Sequence, residues 1–363
     1  MKYAKYYIAP LLTSIVMIGI LMGNHWMWMG LVTIFVVLIL GDAVLGEDPS
    51  QPEYNYPRIL ELPLHMALPF VMALLVSFAW SSGSGNQDFL NLGKILSGIF
   101  SYDFLLARSK NELFDYLGAL LGVGFMVSGY GTVVAHELTH RTRDKKAVIE
   151  GRWLLSASFN PDFAIEHVYG HHATVGTLED PATAKRGENV YVFSIRSTVM
   201  GHFSAWKLEL NNLRKKGINL FSFQNRMITG YLMSVLWCAL FYFAGGISGL
   251  ILFIGQAAFA KFVLEIVNYM EHYGLTRKSH QKIGPEHSWN TNKRMSSMVL
   301  FSLTRHSAHH EKPREKFWKL DPYLNAPQMP FGYLTTLLIC LIPPLWNFIM
   351  TPKLNDWDQN YSL

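Results

Sequence analysis

The sequence predicts an all-α, polytopic membrane protein with six transmembrane helices and a helical, histidine-rich cap on the cytoplasmic side. Half of the 363 residues are hydrophobic, only 16% are charged and the mean hydropathy is +0.16, which is too apolar for a soluble domain of this length. The apolar residues form runs close to the roughly 20 residues that a helix needs to cross a hydrocarbon layer. Nine of the 14 histidines fall into four short clusters.

The apolar runs define the predicted spans of a single integral-membrane domain over residues 1–363. They lie at about 8–22, 26–45, 62–80, 114–135, 228–243 and 247–270. The links at 23–25 and 244–246 allow only tight turns, so hairpins are expected there. A seventh apolar run, 331–350, contains Pro343–Pro344, which would break a spanning helix. We therefore predict an interfacial or re-entrant segment there. The first run has no small-residue cleavage site, which argues against a cleaved signal peptide.

Lysine and arginine predict the orientation. The tight links contain neither residue, whereas the segments 136–227 and 271–328 are rich in both. Basic loops stay on the cytoplasmic side of a membrane. We therefore predict a multi-pass protein of the bacterial inner membrane whose termini and basic segments face the cytoplasm. This topology accounts for the net charge of +5, and no nucleic-acid partner is indicated.

The four histidine clusters form the candidate metal site. They are HELTH, HVYGHH, the histidine of NYMEHYGL and HSAHH, with His136, His140, His167, His171, His172, His272, His306, His309 and His310. All lie at the membrane face near the ends of the fourth and sixth spans. Neutral imidazole binds Zn, Cu, Fe and Ni. Nine donors are too many for one ion, so we predict two metal ions with open positions.

Spacing predicts how the histidines are shared between the ions. Residues four apart lie on one helical face. His136 with His140, and His167 with His171, are therefore each predicted to hold one ion. The first two histidines of HSAHH, three apart, are predicted to do the same. Adjacent histidines point about 100° apart on a helix, so one member of each doubled pair can face each ion.

Carboxylates beside the clusters are predicted to accept hydrogen bonds from ligand imidazoles, which fixes tautomer and ring angle. They are Glu137, Glu166, Asp180 and Glu271. Direct metal ligation and salt bridges to Arg141 or Arg186 stay open as alternatives. No catalytic residue is predicted beyond the metal centre itself.

HELTH also matches the HExxH pattern of zinc proteases, in which Glu137 would be the base and Asp162 a distant candidate ligand. That interpretation leaves seven clustered histidines unused. Two redox-active irons that activate O2 on an apolar substrate are favoured instead. The chain has only two cysteines, no CxxC pair and no glycine-rich dinucleotide fingerprint, so electrons are expected from another protein.

The sequence resembles that of a known family. HELTH, EHVYGHH, NYMEHYGL and LTRHSAHH are similar to the motifs of the membrane-bound alkane 1-monooxygenases, which are non-haem di-iron enzymes. They are related to the xylene monooxygenase hydroxylase and, more distantly, to membrane fatty-acid desaturases. The similarity extends to GDAVLGED (Gly41–Asp48), LEDPATAKRGENVYVFSIR (Leu178–Arg196), EHSWN (Glu286–Asn290) and PKLNDWDQNY (Pro352–Tyr361).

The resemblance implies that the nine histidines bind two iron ions and that O2 is the co-substrate. It implies hydroxylation of the terminal methyl of medium-chain n-alkanes, drawn from the bilayer, to primary alcohols. It also implies a rubredoxin or ferredoxin-type electron carrier with an NADH-dependent reductase. Three positions depart from the usual motifs: Thr139, Arg141 and Ala308.

Alternatives stay open on substrate and on role. The C-terminal part resembles the xylene branch, which favours methyl hydroxylation of alkylated arenes such as xylene or cymene. A fatty-acid desaturase or lipid hydroxylase, and a non-catalytic metal-binding or transport protein, are further alternatives. Two basic stretches, Arg214–Lys216 and Lys312–Arg314, are candidates for docking an acidic carrier. Candidate walls of an apolar substrate tunnel are Trp26, Trp28, Phe35, Phe253, Phe259 and Phe262.

Overall fold

The computed structural model describes residues 2–85 and 87–361, and their regular structure is helical. Five helices are long and apolar enough to cross a membrane, or six if a bent pair near the C-terminus counts as one span. Within the described residues there is no β-strand, only isolated bridges between Glu47 and Lys293 and between Asn290 and Gln328. The predicted all-α, polytopic fold is confirmed.

Nine longer helices organise the chain. They are α1 (Ala4–Met22), α2 (Asn24–Leu45), α3 (Arg58–Ser81), α4 (Leu113–Thr139), α5 (Lys145–Ser156), α6 (Val190–Lys215), α7 (Arg226–His272), α8 (Tyr333–Cys340) and α9 (Pro343–Tyr361). The short helices are Leu92–Ile99, Phe104–Arg108, Phe163–Glu166, His167–His171, His172–Thr174, Arg294–Val299 and His306–Glu311. Single 3₁₀ turns lie at Phe89–Asn91, Pro285–His287 and Phe317–Lys319.

Helix α7 is a hairpin. Its 47 residues would extend about 70 Å as one straight helix, more than twice the hydrocarbon thickness of a bilayer. The helix breaks at Gly245 and Gly246, and Gly246 has φ 60° and ψ −144°, a conformation that is essentially restricted to glycine. The rings of Phe241 and Phe253 lie only 5.0 Å apart. The chain therefore folds back on itself, and each arm of α7 is long enough to cross a membrane.

Helix α5 packs against the membrane-spanning helices, although the segment 136–227 that contains it is rich in lysine and arginine. A helix leaves its last carbonyl groups without partners, and a buried helix end needs side chains to bond them. Ser234 Oγ in α7 donates to the Ser156 carbonyl at 2.9 Å, and Gln256 Nε2 donates to the Ala157 carbonyl at 2.9 Å. Trp237 Nε1 donates to Ser156 Oγ at 3.0 Å. These bonds come from both arms of the α7 hairpin and fix the end of α5. They therefore fix the position from which the chain continues to the histidine cluster HVYGHH.

Helices α8 and α9 meet at a bend of 119°. Pro343 begins α9, where its missing N–H has no helical partner to lose. Further along α9, Trp357 Nε1 donates to the Glu286 carbonyl at 2.8 Å. The sequence predicted a break at the two prolines. The depth of this segment in a bilayer stays a prediction.

The glycine at the turn of the α7 hairpin generates a prediction. Gly246→Ala adds a side chain where the backbone conformation excludes one, so the protein should lose about 1–3 kcal/mol of stability. Thermal unfolding in detergent, followed by tryptophan fluorescence, measures this loss.

The matched control is Gly98→Ala. Gly98 lies in the exposed helix Leu92–Ile99, and a methyl group added at its Cα would meet no other atom within 4 Å. Its replacement should leave stability unchanged or raise it by up to about 1 kcal/mol. Equal behaviour of the two variants would contradict the hairpin geometry.

Candidate metal centre

The nine clustered histidines converge where α4 and α7 end. In the described chain they form two sets of potential ligands, and within each set the ligand atoms lie within 4.8 Å of one another. The five-histidine group consists of His136, His140, His167, His172 and His309. The four-histidine group consists of His171, His272, His306 and His310. The doubled histidines divide between the groups, one member to each, as the sequence predicted.

The nitrogen spacing inside each group fits a metal ion. In the five-histidine group, His172 Nε2 lies 3.0 Å from the Nε2 atoms of both His167 and His309. In the four-histidine group, the Nε2 atoms of His306 and His310 are 3.0 Å apart. With metal–nitrogen bonds of about 2.1 Å, two ligands at right angles have nitrogens about 3.0 Å apart. Both groups therefore have the donor type and the spacing that a bound cation requires.

Burial keeps these imidazoles neutral. Desolvation lowers the pKa of His140 to about 3. It also holds the pKa values of His167, His309 and His310 well below the ordinary value. A metal ion binds the neutral imidazole, whose lone pair is free. These four histidines can therefore accept metal ions at neutral pH without first losing protons.

His171 is the exception because a carboxylate lies behind its ring. Its Nδ1 lies 3.0 Å from both oxygens of Asp180. Burial opposes a charge on His171, but Asp180 outweighs it and raises the pKa of the imidazole. Burial likewise disfavours the Asp180 carboxylate, but the imidazole lowers its pKa. When Nδ1–H donates to Asp180, Nε2 is left as the lone-pair donor that faces the four-histidine group.

The other three predicted carboxylates occupy different positions. Glu271 Oε2 lies 3.3 Å from His306 Nε2, on the side of the imidazole that faces the group, and Tyr333 donates to Oε1. Glu137 forms an ion pair with Arg141 at 2.9 Å, which leaves it poorly placed as the base of a zinc protease. Glu166 is buried, and desolvation raises its pKa to about 8. Among the described residues, no hydrogen bond joins Glu166 to a clustered histidine.

The predicted pairing within HVYGHH was wrong. His167 and His171 were expected to hold one ion, but they belong to different groups. The stretch His167–His171 is a π-helix, in which the backbone bonds run from i to i+5. Residues five apart therefore share a face, and His167 joins His172. The sequence contains no simple signal for this local change of helical period.

The predicted pairing within HSAHH was also wrong. His306 shares its group with His310, four residues on, and not with His309. The helix His306–Glu311 gives i, i+4 neighbours a common face, and this spacing prevails over i, i+3. The prediction that His136 and His140 belong together agrees with the structure.

An apolar cavity opens onto both histidine groups. Its walls come from α1, α2, α4, α7, α8 and the segment around residue 300. They include Leu12, Ile34, Leu38, Met126, Gly129, Val263, Leu300 and Leu337. The end at the metal groups is lined by His136, His167, His306, Glu271 and Tyr333. The cavity therefore brings apolar space directly to the candidate metal positions.

The six aromatic residues predicted as tunnel walls do not line this cavity as the structure describes it. Phe35 and Phe259 pack edge-on against Phe125, at ring-centroid distances of 5.6 and 5.2 Å. Phe125 is the residue that reaches the cavity. Trp26 is 42% exposed on the outer surface. The sequence shows which helices are apolar, but not which rotation each helix adopts.

The comparisons with known proteins agree with this site. A family model described as fatty acid desaturase matches residues 114–337, which include all nine histidines. The fold and the site thus define a histidine-rich membrane enzyme of the desaturase and hydroxylase class.

Similarity to individual proteins identifies the family within this class. Alkane 1-monooxygenase 2 of Pseudomonas aeruginosa is 34% identical over 94% of this chain and 88% of its own length. Alkane 1-monooxygenase 1 of the same organism is 35% identical over 92% and 84%. The hydroxylase component of xylene/toluene monooxygenase from Pseudomonas putida is 30% identical over 100% and 92%. The chain belongs to the membrane-bound alkane 1-monooxygenase family and is a monooxygenase.

The bond between Asp180 and His171 generates a prediction. Asp180→Asn can place an amide donor against Nδ1, which would turn the His171 N–H toward the four-histidine group and remove one donor. Loss of such a supporting bond typically weakens metal binding about 10- to 100-fold. Metal content after dialysis against a chelator measures the change.

Asp358→Asn is the matched control. Asp358 pairs with Arg186 at 2.6 Å, and both side chains are about two-fifths exposed, away from the histidines. This variant should keep the metal content of the parent chain. Unchanged metal content in Asp180→Asn as well would show that Asp180 does not orient a ligand.

Proposed function

We propose that the chain is a di-iron monooxygenase that hydroxylates the terminal methyl of medium-chain n-alkanes to primary alcohols, with O2 as co-substrate. The observation that carries the proposal is the apolar cavity that opens onto both histidine groups. The relatives named alkane 1-monooxygenase support the substrate class. We further propose a single membrane domain in the bacterial inner membrane with its metal site toward the cytoplasm.

The five-histidine and four-histidine groups would each hold one iron ion. The donors are imidazoles, buried or half-buried, and imidazole accepts iron as well as zinc, copper or nickel. The family similarity and the need for redox chemistry favour iron. When bound, the two irons supply the activation of O2 and the transfer of one oxygen atom to a C–H bond.

The protein's own residues bind and orient the substrate. An alkane offers no polar group, so only shape and apolar contact can place it. The walls from α1, α2, α4 and α7 would hold the chain along the cavity, with its terminal carbon at the end lined by His136, His167 and His306. The same walls exclude water from the reacting carbon. Fixed position and excluded water both lower the barrier of the reaction.

Methyl hydroxylation of an alkylated arene is a second candidate. The xylene/toluene relative matches over 100% of this chain. Most wall residues of the cavity are aliphatic, and its histidines and its one carboxylate, Glu271, lie at the metal end. The cavity walls can therefore distinguish a linear alkane from a methylated ring only by its shape.

A direct product assay tests the proposed function. Iron-loaded protein in detergent, supplied with reduced carrier and O2, should convert octane to 1-octanol faster than it converts p-xylene to its benzylic alcohol. Products are identified by gas chromatography and mass spectrometry. Faster xylene turnover would establish the second candidate, and a double bond in an acyl substrate would establish a desaturase. No oxygenated product from any of them would refute the monooxygenase function.

We also propose where electrons enter. A rubredoxin or ferredoxin-type carrier, reduced by an NADH-dependent reductase, would bind at a recess that contains His140, a member of the five-histidine group. The basic residues of this recess are Arg141, Arg143, Arg314 and Lys316. Glu137, Asp144 and Glu315 line the same recess, so its four basic and three acidic side chains leave a net charge of +1, which favours an acidic carrier. His140 brings the metal group close to the surface.

The other basic stretch is a poorer docking site. Lys215 and Lys216 line a separate recess with Tyr169, Leu208 and Arg226. In the described residues, none of the nine histidines lines that recess. A carrier bound there would contact no member of either histidine group, so the recess at His140 is favoured.

Charge reversal distinguishes the two basic surfaces. Arg314→Glu, on an exposed residue of the recess at His140, should raise the KM for the carrier about 10-fold and weaken its salt dependence, since rim charges govern association. Lys215→Glu, equally exposed, should leave that KM unchanged. Steady-state turnover at several salt concentrations measures both. The reverse pattern would place the carrier at the second surface.

A further inference from the structure

The GDAVLGED stretch contains no metal-binding histidine, yet hydrogen bonds connect it to the metal centre. Asp42, near the end of α2, is 5% exposed. It accepts from Ser296 N at 2.9 Å and from Ser296 Oγ at 2.5 Å. The packing is tight, because a Cβ on Gly332 would overlap Asp42 Oδ2 and a Cβ on Gly41 would lie 2.7 Å from Met295. Asp42 therefore fixes the helix Arg294–Val299 against the start of α8.

Ser296, which Asp42 holds in place, also forms a hydrogen bond with Tyr333. Tyr333 is the first residue of α8, and the N–H groups of a first helical turn have no partner within the helix. Tyr333 N donates to Ser296 Oγ at 3.1 Å. Ser296 is fully buried and Tyr333 is nearly so. The bond sets where α8 begins, and therefore where the phenol ring of Tyr333 lies.

Tyr333 in turn holds the carboxylate that lies among the metal-facing nitrogens. Its phenol donates to Glu271 Oε1. The other oxygen, Oε2, lies 3.3 Å from His306 Nε2 in the four-histidine group. A carboxyl group with two free oxygens can rotate about its last bond. A donor on one oxygen directs the other toward the metal group.

We propose that Tyr333 is a positioning residue that aims Glu271 into the four-histidine group, and that Asp42 and Ser296 keep Tyr333 in place. The proposal rests on the proposed function, because it assumes an iron ion in that group. It assigns a role to the GDAVLGED stretch that metal binding alone leaves unexplained. Tyr333 and Glu271 both line the cavity, so the carboxylate is held at the point where cavity and metal group meet.

Tyr333→Phe tests the proposal, since it removes the phenol oxygen and keeps the ring on the cavity wall. Both irons should stay bound, because all nine imidazoles are intact. The KM for alkane should change less than about twofold, and kcat should fall about 10-fold or more. Mössbauer spectra of ⁵⁷Fe-loaded protein should show a changed quadrupole doublet for one iron and an unchanged one for the other. Ser296→Ala should change the same iron signal to a smaller degree.

Tyr130→Phe is the matched control. Tyr130 is fully buried, and its hydroxyl donates to the Pro63 carbonyl at 2.6 Å, away from the nine histidines. It should keep both the parent kcat and the parent spectrum.

The outcomes separate this proposal from the proposed function. A parent chain without two irons or without alkane turnover would refute the function. A normal parent chain, with Tyr333→Phe unchanged in kcat and spectrum, would refute only the positioning role. Loss of iron from Tyr333→Phe would also refute it, because the residue would then hold the metal rather than aim the carboxylate. If Tyr333→Phe does not fold, Ser296→Ala decides on the same spectral criterion.

Discussion

Nine buried or half-buried imidazoles, whose possible ligand atoms lie within 4.8 Å of one another inside each of two groups, form the constraint on which the rest of the structure depends. Without a cation, such an arrangement leaves polar nitrogens buried with poor partners: His136 and His140, for example, have ring nitrogens that meet no hydrogen-bonding group in the described chain. Two positive ions would satisfy these lone pairs together. Each of the two groups could therefore hold one metal ion.

The surrounding helices and side chains hold the nine histidines in these positions. Helix α4 and the second arm of α7 carry clustered histidines at their C-terminal ends, where the apolar part of each helix ends. The side chains that bond the end of α5 hold the 163–174 segment against them. The π-helix His167–His171 rotates the second cluster so that it supplies both groups. Asp180 fixes the tautomer of one ligand, and Tyr333 directs Glu271 toward the four-histidine group.

Much of this could be predicted from the sequence, because long apolar runs and clustered histidines are strong local signals. The helical class, the α7 hairpin and the division of the doubled histidines between two groups follow from composition and spacing. The pairing of His167 and the bond from Tyr333 to Glu271 could not be predicted. The first depends on a local change of helical period, and the second joins residues 62 positions apart. The cavity walls were missed because hydrophobicity does not determine helix rotation.

X-ray absorption at the iron edge, combined with elemental analysis of detergent-purified protein, distinguishes a di-iron centre from other metal sites. We expect two irons per chain, with a first shell of nitrogen and oxygen and the multiple-scattering pattern of several imidazoles on each. A single zinc per chain, or iron surrounded by sulfur, would contradict a di-iron centre in these two groups, which contain nine imidazoles and no cysteine.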